Sequence, residues 1–158
     1  MPQAWIIIER FENWEVDEAN KFSFFGLSNR YRNVASEIAA KDVIFSYVSS
    51  GRSAFADMRI VREAGLKTLK IQSYDSPFAF YFSTAPLLVL PRPRWLSIKE
   101  VVADLDLTRG RADYRPLFQT SIRKITEHDA KLLKRKLEQA ANQNPVAPGA
   151  GPVTPQES

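Results

Sequence analysis

The feature that most constrains this chain is a pair of strand-like runs separated by a turn. Val43 to Val48 reads as a strand, Ser49-Ser50-Gly51-Arg52-Ser53 supplies the reversal, and Ala54 to Arg62 returns as an antiparallel partner. A hairpin this legible needs a sheet around it, because two strands alone do not bury enough to persist in water. Other runs can join it. Ala4-Trp5-Ile6-Ile7-Ile8 suits a strand buried on both faces, Phe78, Phe80 and Phe82 alternate with period two, and Leu87 to Leu90 is a further apolar run ended by Pro91 and Pro93. Lys67 to Gln72 is a possible short strand.

Helical signals are fewer. Asn13 is placed to cap a helix over Trp14 to Asn20, and Arg32 to Ala40 carries Val34, Ala35 and Ile38 on one face before the turn at Lys41-Asp42. Ser97-Ile98-Lys99-Glu100 and Thr126-Glu127-His128-Asp129 each set an acid three residues after a hydroxyl cap, which satisfies open amides from both directions. The second starts a helix with Ala130, Leu133, Leu137 and Ala140 on its apolar stripe. Five or six strands in adjacent, hairpin-like pairs with about four short helices imply an α+β fold. A partly closed β-barrel flanked by short helices fits better than a doubly wound parallel sheet.

At 158 residues, 44% of them hydrophobic, the chain is long enough for one core without covalent staples. Residues 1–139 read as one domain, and residues 140–158, with four prolines and two glycines, as a disordered tail. The absence of cysteine excludes disulfides, thiolate metal sites and cysteine nucleophiles, in keeping with a reducing compartment, the cytoplasm by default. The longest early apolar run covers only the five residues from Ala4 to Ile8, too short for a signal peptide or a membrane span.

Charge is informative by position. The net charge is +4, yet the first 18 residues hold five acids against Arg10, leaving the remainder strongly basic. Arg109 to Lys136 alone holds nine bases against three acids, the footprint expected of a nucleic-acid binder. Solvated basic helices have the same composition. Catalytic constellations fail by inventory. His128 is the only histidine and cannot build a multi-histidine metal site, Gly51-Arg52-Ser53 is too short for a phosphate-binding loop, and Asp104 with Asp106 reads as a solvated helix end. No cofactor is expected, and the chain reads as a binder rather than an enzyme.

The first third interleaves aromatics with amides and arginines: Phe11-Glu12-Asn13-Trp14-Glu15, Phe22-Ser23-Phe24-Phe25-Gly26 and Tyr31-Arg32-Asn33. Recognition of an extruded base uses this mixture of a ring to stack on, an amide for the base edge and arginine for phosphate. Buried packing and helix capping use the same residues. The order of Ala4 to Ile8, Phe11 to Val16, Phe25-Gly26, Asn33 and Asp42, then Leu90-Pro91-Arg92-Pro93 and Phe118 to Thr126 with Asp129 and Leu133, resembles the EVE domain of the PUA-like superfamily over about residues 4–138.

That resemblance implies a PUA-like barrel with a base-sized pocket, related to the YTH domains that read N6-methyladenosine, and a module that reads modified bases in DNA or RNA. It places Asn13 where YTH domains have a base-contacting asparagine, and Phe25 where both families commonly have a cage tryptophan. Phenylalanine there is smaller and has no indole donor. Tyr47 and Ser49 are similar to a tyrosine and a serine at a strand end, and of Ser28, Asn29 and Arg30 only Asn29 keeps the family's Arg-Asn-Tyr pattern. Trp14 and Gly26 complete the implied pocket, with Tyr74 or Phe78 as the second wall. Arg30, Arg32, Arg109, Arg111 and Arg115 are the candidates for phosphate contacts. The rival readings are a small enzyme or RNA-processing factor on the same barrel, and a protein-interaction module whose apolar surface lies elsewhere as one exposed patch.

Overall fold

In a computed structural model that describes residues 2–63 and 80–143, the expected hairpin is the centre of the molecule. β3 (Val43–Val48) and β4 (Ala54–Val61) pair antiparallel, with the register shifting between Ser46 and Tyr47, so that Tyr47 faces Phe55 and Ser46 faces Asp57. The reversal between them places Ser50, Gly51 and Ser53 at positive φ. β1 (Ala4–Glu9) lies parallel to β3 on its other side, and β7 (Ile122–Ile125) closes against β1 antiparallel. The sheet order is β2-β5-β4-β3-β1-β7, where β2 is Phe24–Leu27 and β5 is Phe80–Val89; β6 (Leu96–Ser97) adds a short pairing to β4. The result is a curled, mixed half-barrel with helices around it, the α+β architecture expected from the strand pattern.

Strand parity divides the core. Ala4, Ile6, Phe45, Tyr47 and Met58 face α3 (Glu127–Asn142) and the 98–118 segment. Trp5, Ile7 and Ile44 face Phe25, Leu27, Phe82 and α2 (Arg32–Ala35). A third group packs Trp14 of α1 (Phe11–Ala19) against Phe22, Val48 and Ala56.

Several boundaries depart from the sequence reading. The first helix begins at Phe11, with Arg10 at its cap, so Asn13 stands inside the first turn and does not cap it. The expected helix over 32–40 stops at Ala35. The chain beyond it winds around the buried Asp42 carboxylate, which accepts hydrogen bonds from the Ala39 and Gln3 amides and the Trp5 indole. Phe80–Phe82 and Leu87–Val89 of the two expected runs belong to one strand that changes partner, pairing with β2 through Ser83 and with β4 from Thr84 onward. Pro86 is tolerated within it because the β4–β5 register shifts at Met58/Arg59, beside its pairing position. The Ser97 cap is present, but its helix is a single 3-10 turn over Ile98–Glu100. α3 begins where Thr126 accepts from the Asp129 amide and continues through Asn142, so residues 140–142 of the expected tail are helical. The possible strand over 67–72, together with Tyr74 and Phe78, lies outside the described residues, as does the tail beyond 143. Among the described residues, no helix is long and apolar enough to cross a membrane.

Candidate nucleic-acid interface

Because β1 and β3 run parallel, their C-terminal ends share one edge of the sheet, and the first turn of α1 rises directly from it. Ser49 anchors this edge, donating to the Glu9 carbonyl from its amide (2.8 Å) and its hydroxyl (3.1 Å). On the other side the Ile8 amide donates to the Ser121 carbonyl (2.9 Å). The Ser121 amide and Thr120 hydroxyl in turn donate to the Tyr31 hydroxyl oxygen at 2.9 and 3.1 Å. Burial pushes the Tyr31 phenol up, but these donors outweigh it and leave its pKa below the ordinary tyrosine value. The contacts bring the Ser28–Tyr31 turn, the start of β7 and the ends of β1 and β3 into one polar rim.

Beneath α1 the same face of the sheet is ionic. Arg59, with no solvent exposure, binds Asp57 through Nε (2.8 Å) and Nη2 (3.2 Å), Asp17 through Nη1 (3.0 Å) and Glu9 through Nη2 (3.5 Å). Asp57 also accepts from the Trp14 indole (2.8 Å) and the Ser46 hydroxyl (2.7 Å). Three carboxylates around one guanidinium leave an excess of negative charge, and the burden falls on Glu9. Burial and the neighbouring Asp17 carboxylate raise its pKa well above the ordinary glutamate range, despite Arg59. Arg59 stays charged, since attraction from Asp57, Asp17 and Glu9 overcomes its desolvation. The signal was present in the sequence. Asp57 and Arg59, two apart in a strand, must share a face, and an acid and a base on a covered face must meet.

The sequence-derived site residues separate into groups. Asn13 is half-buried in the first turn of α1, above the rim. Gly26 of β2, half-buried, pairs with Tyr81 of β5, and Ser28 precedes the short 3-10 turn without a side-chain cap hydrogen bond to it. Asn29 is exposed and accepts from Arg32 (3.0 Å). Phe25 is only 2% exposed, stacked on Phe82 at 5.1 Å within the apolar core, so no slot is open on its face. Trp14 is buried and hydrogen-bonded to Asp57. Tyr47 points to the opposite side of the sheet from Phe25, where it stacks on Phe118 at 4.3 Å, and burial raises its pKa. A residue on each face of a sheet cannot line one pocket.

The arginine candidates also divide. Arg30 and Arg32 are exposed beside the rim. Arg115 is held by Asp113 at 2.9 and 3.1 Å, and Arg109 lies 3.5 Å from Asp106, so part of their charge is met within the chain. Arg111 is exposed. A second aromatic group escaped the sequence reading. Phe11 and Trp95, both half-buried, meet at 6.1 Å, with the Arg52 guanidinium 4.2 Å from the Phe11 ring and Arg92 5.6 Å from it. Only the fold brings residues from 11, 52 and 95 together.

Among the described residues, Asp106, His128 and Asp129 are the one cluster whose ligand atoms could converge on a metal. Both Asp129 oxygens already accept backbone amides, from Asp106 (2.6 Å) and Leu107 (3.0 Å), which accounts for the cluster as the anchor of the α3 N-terminus.

No protein-family model and no curated protein sequence matches the chain. Solved structures do. A complex of the YTH domain-containing protein mmi1 with RNA superposes with a TM-score of 0.59 over 87% of this chain and 83% of that one, at 14% identity. The fold is that of YTH domains. The YTH domain of Zygosaccharomyces rouxii MRB1, solved with N6-methyladenosine RNA, gives a TM-score of 0.58 at 11% identity, covering 86% of this chain and 90% of that one. Rpa0253 from Rhodopseudomonas palustris has the same fold, with a TM-score of 0.59 at 11% identity over 87% of this chain and 94% of its own. At these identities the shared YTH-type architecture carries over, and individual side-chain roles do not.

Proposed function

We propose that this chain is a nucleic-acid-binding module that accommodates a modified or flipped base at the rim where α1 overlies the ends of β1 and β3. The observation that carries the reading is the architecture, common to two YTH domains solved with RNA, one of them with N6-methyladenosine RNA. The rim supports it with an amide side chain at Asn13, hydroxyls at Ser28 and Ser49, and the adjoining cations Arg30 and Arg32. In this reading Asn13 and the Ser28–Asn29 turn contact the base edge, and the arginines contact phosphate. Phe25 is a core ring and takes no part in the contact.

The test is fluorescence anisotropy with short RNA and DNA oligonucleotides, single- and double-stranded, with and without methylated bases. Binding that weakens steeply with salt and differs between a base and its methylated form supports the reading. Asn13→Ala is expected to erase that preference without a comparable loss of stability, since Asn13 is not the helix cap. Absence of oligonucleotide binding at low salt, or equal affinity for every base with Asn13→Ala silent, refutes it.

A further inference from the structure

At the rim, the Tyr31 phenol is a donor with nothing to donate to. Its oxygen carries two lone pairs and one hydrogen. The Ser121 amide, which can only donate, reaches that oxygen at 2.9 Å and the Thr120 hydroxyl at 3.1 Å, so both lone pairs are taken. No acceptor for the hydrogen lies among the described residues. The ring is held from below as well, packed against the core group that contains Trp5, Ile7 and Phe25. Burial raises the phenol pKa, yet the Thr120 and Ser121 hydrogen bonds and the neighbouring Arg30 cation together leave it lowered, as donors to the oxygen must. Arg30 is exposed, its guanidinium lies 5.4 Å from the Tyr31 ring centre, and it makes no ion pair among the described residues. The facing 120–121 segment brings hydroxyls and an amide but no charge. By contrast, the Ser49 hydroxyl is already used on the Glu9 carbonyl.

We propose that Tyr31 and Arg30 together hold one phosphodiester of the strand whose base is read at the rim, the phenol donating to a phosphate oxygen and the guanidinium meeting its charge. A fixed hydroxyl beside a cation favours an acceptor that carries negative charge. The contact rests on the base-reading function and adds to it a donor that titrates. Its sign is set by the chemistry: a phenolate has no hydrogen to give and repels phosphate. Affinity is therefore full below the phenol pKa and falls as pH rises through it.

The experiment follows fluorescence anisotropy of the full chain from about pH 7 to 11. The probes are labelled single-stranded RNA and DNA oligonucleotides of adenine and cytosine, methylated and unmethylated, because neither base loses a proton in that range. Tyr31→Phe is expected to weaken binding about tenfold at the neutral end and to abolish the alkaline fall that the native chain shows. It keeps the ring in place, and circular dichroism at each pH establishes that both proteins are folded. Thr120→Val is expected to move the midpoint of the fall to higher pH, since it removes a donor to the phenol oxygen. A midpoint moved to lower pH would show that Tyr31 donates to Thr120 and has no hydrogen for a ligand, which overturns the proposal. The free nucleoside of the preferred base, titrated by NMR, is expected to bind native and Tyr31→Phe alike; a Tyr31-dependent loss there would put the contact on the base and overturn it too. Base preference erased by Asn13→Ala, with Tyr31→Phe silent or sharing the native pH profile, overturns this contact and leaves the base-reading function standing. A Tyr31-dependent profile without base preference overturns the base-reading function and leaves the phosphate contact. Absence of any oligonucleotide binding overturns both.

Discussion

Phe25→Ala separates the two roles its position allows. As a core ring, 2% exposed and stacked on Phe82 among Trp5, Ile7 and Leu27, its truncation leaves a cavity that the surrounding strands cannot fill. Phenylalanine-to-alanine changes at such sites cost about 3–5 kcal/mol. For a folded unit of this size that corresponds to a fall in Tm of roughly 10–20 °C. If the ring were an open stacking wall, its loss would instead remove about 1–3 kcal/mol of base stacking, roughly a 5- to 150-fold rise in Kd, with little change in unfolding. The assay pairs calorimetric or urea unfolding with oligonucleotide anisotropy, the latter at a temperature where the variant remains folded. The structure requires a large stability loss with affinity within about twofold of the native chain, a difference of about 0.4 kcal/mol. A Tm within a few degrees of native, or a collapse in affinity for a still-folded variant, would refute the placement of this ring.

The ionic cluster yields two further expectations. Arg59→Met strands the Asp57, Asp17 and Glu9 carboxylates beneath α1, and should cost about 3–5 kcal/mol at neutral pH in urea unfolding; a loss below about 1 kcal/mol would show that the cluster is not dry. Glu9 has a folded-state pKa above its unfolded value near 4.5, so its contribution to stability is full below that value and is lost as pH rises through the folded one. Glu9→Gln should therefore gain stability relative to native progressively as pH rises from 4.5; parallel stability profiles for the two proteins would dismiss the raised pKa. Arg30 and Arg32 should govern the salt response of oligonucleotide binding, and replacing both with Gln should flatten the slope of log affinity against log salt by about two contacts; an unchanged slope would move the phosphate track elsewhere.

The strands β1, β3, β4 and β5 were legible because the sheet's rule is local, whereas the short β2, β6 and β7 escaped the sequence reading. Val43 to Val48 needed only a short run rich in β-branched and aromatic residues, and its partner needed only the turn at Ser49–Ser53. Helix α3 was legible for the same reason, its cap at Thr126 and its stripe at Leu133 and Leu137 lying within one segment. What escaped was set by distant residues. The 32–40 helix signal was real, since Ala35 and Ile38 are buried, but Asp42 captures the backbone after Ala35 and a turn buries both side chains as well as a helix would. The site was harder still. Phe25 and Tyr47 look alike in sequence as aromatics near strand ends, and only the register of β2 and β3 decides that they lie on opposite sides of the sheet. The Phe11, Arg52 and Trp95 group joins three segments with no common motif, so no local pattern could have announced it.

The pairing of β1 has a consequence for how the chain is made. Of the strands in this sheet it leaves the ribosome before the others, yet its two neighbours are β3 and β7, and Ala4 meets Ile125 across the second of them. During synthesis its outer edge stays bare until nearly the whole domain has emerged, offering amides and carbonyls to any passing strand in the meantime. Closure by so distant a segment makes late, slow completion an intrinsic property of the topology.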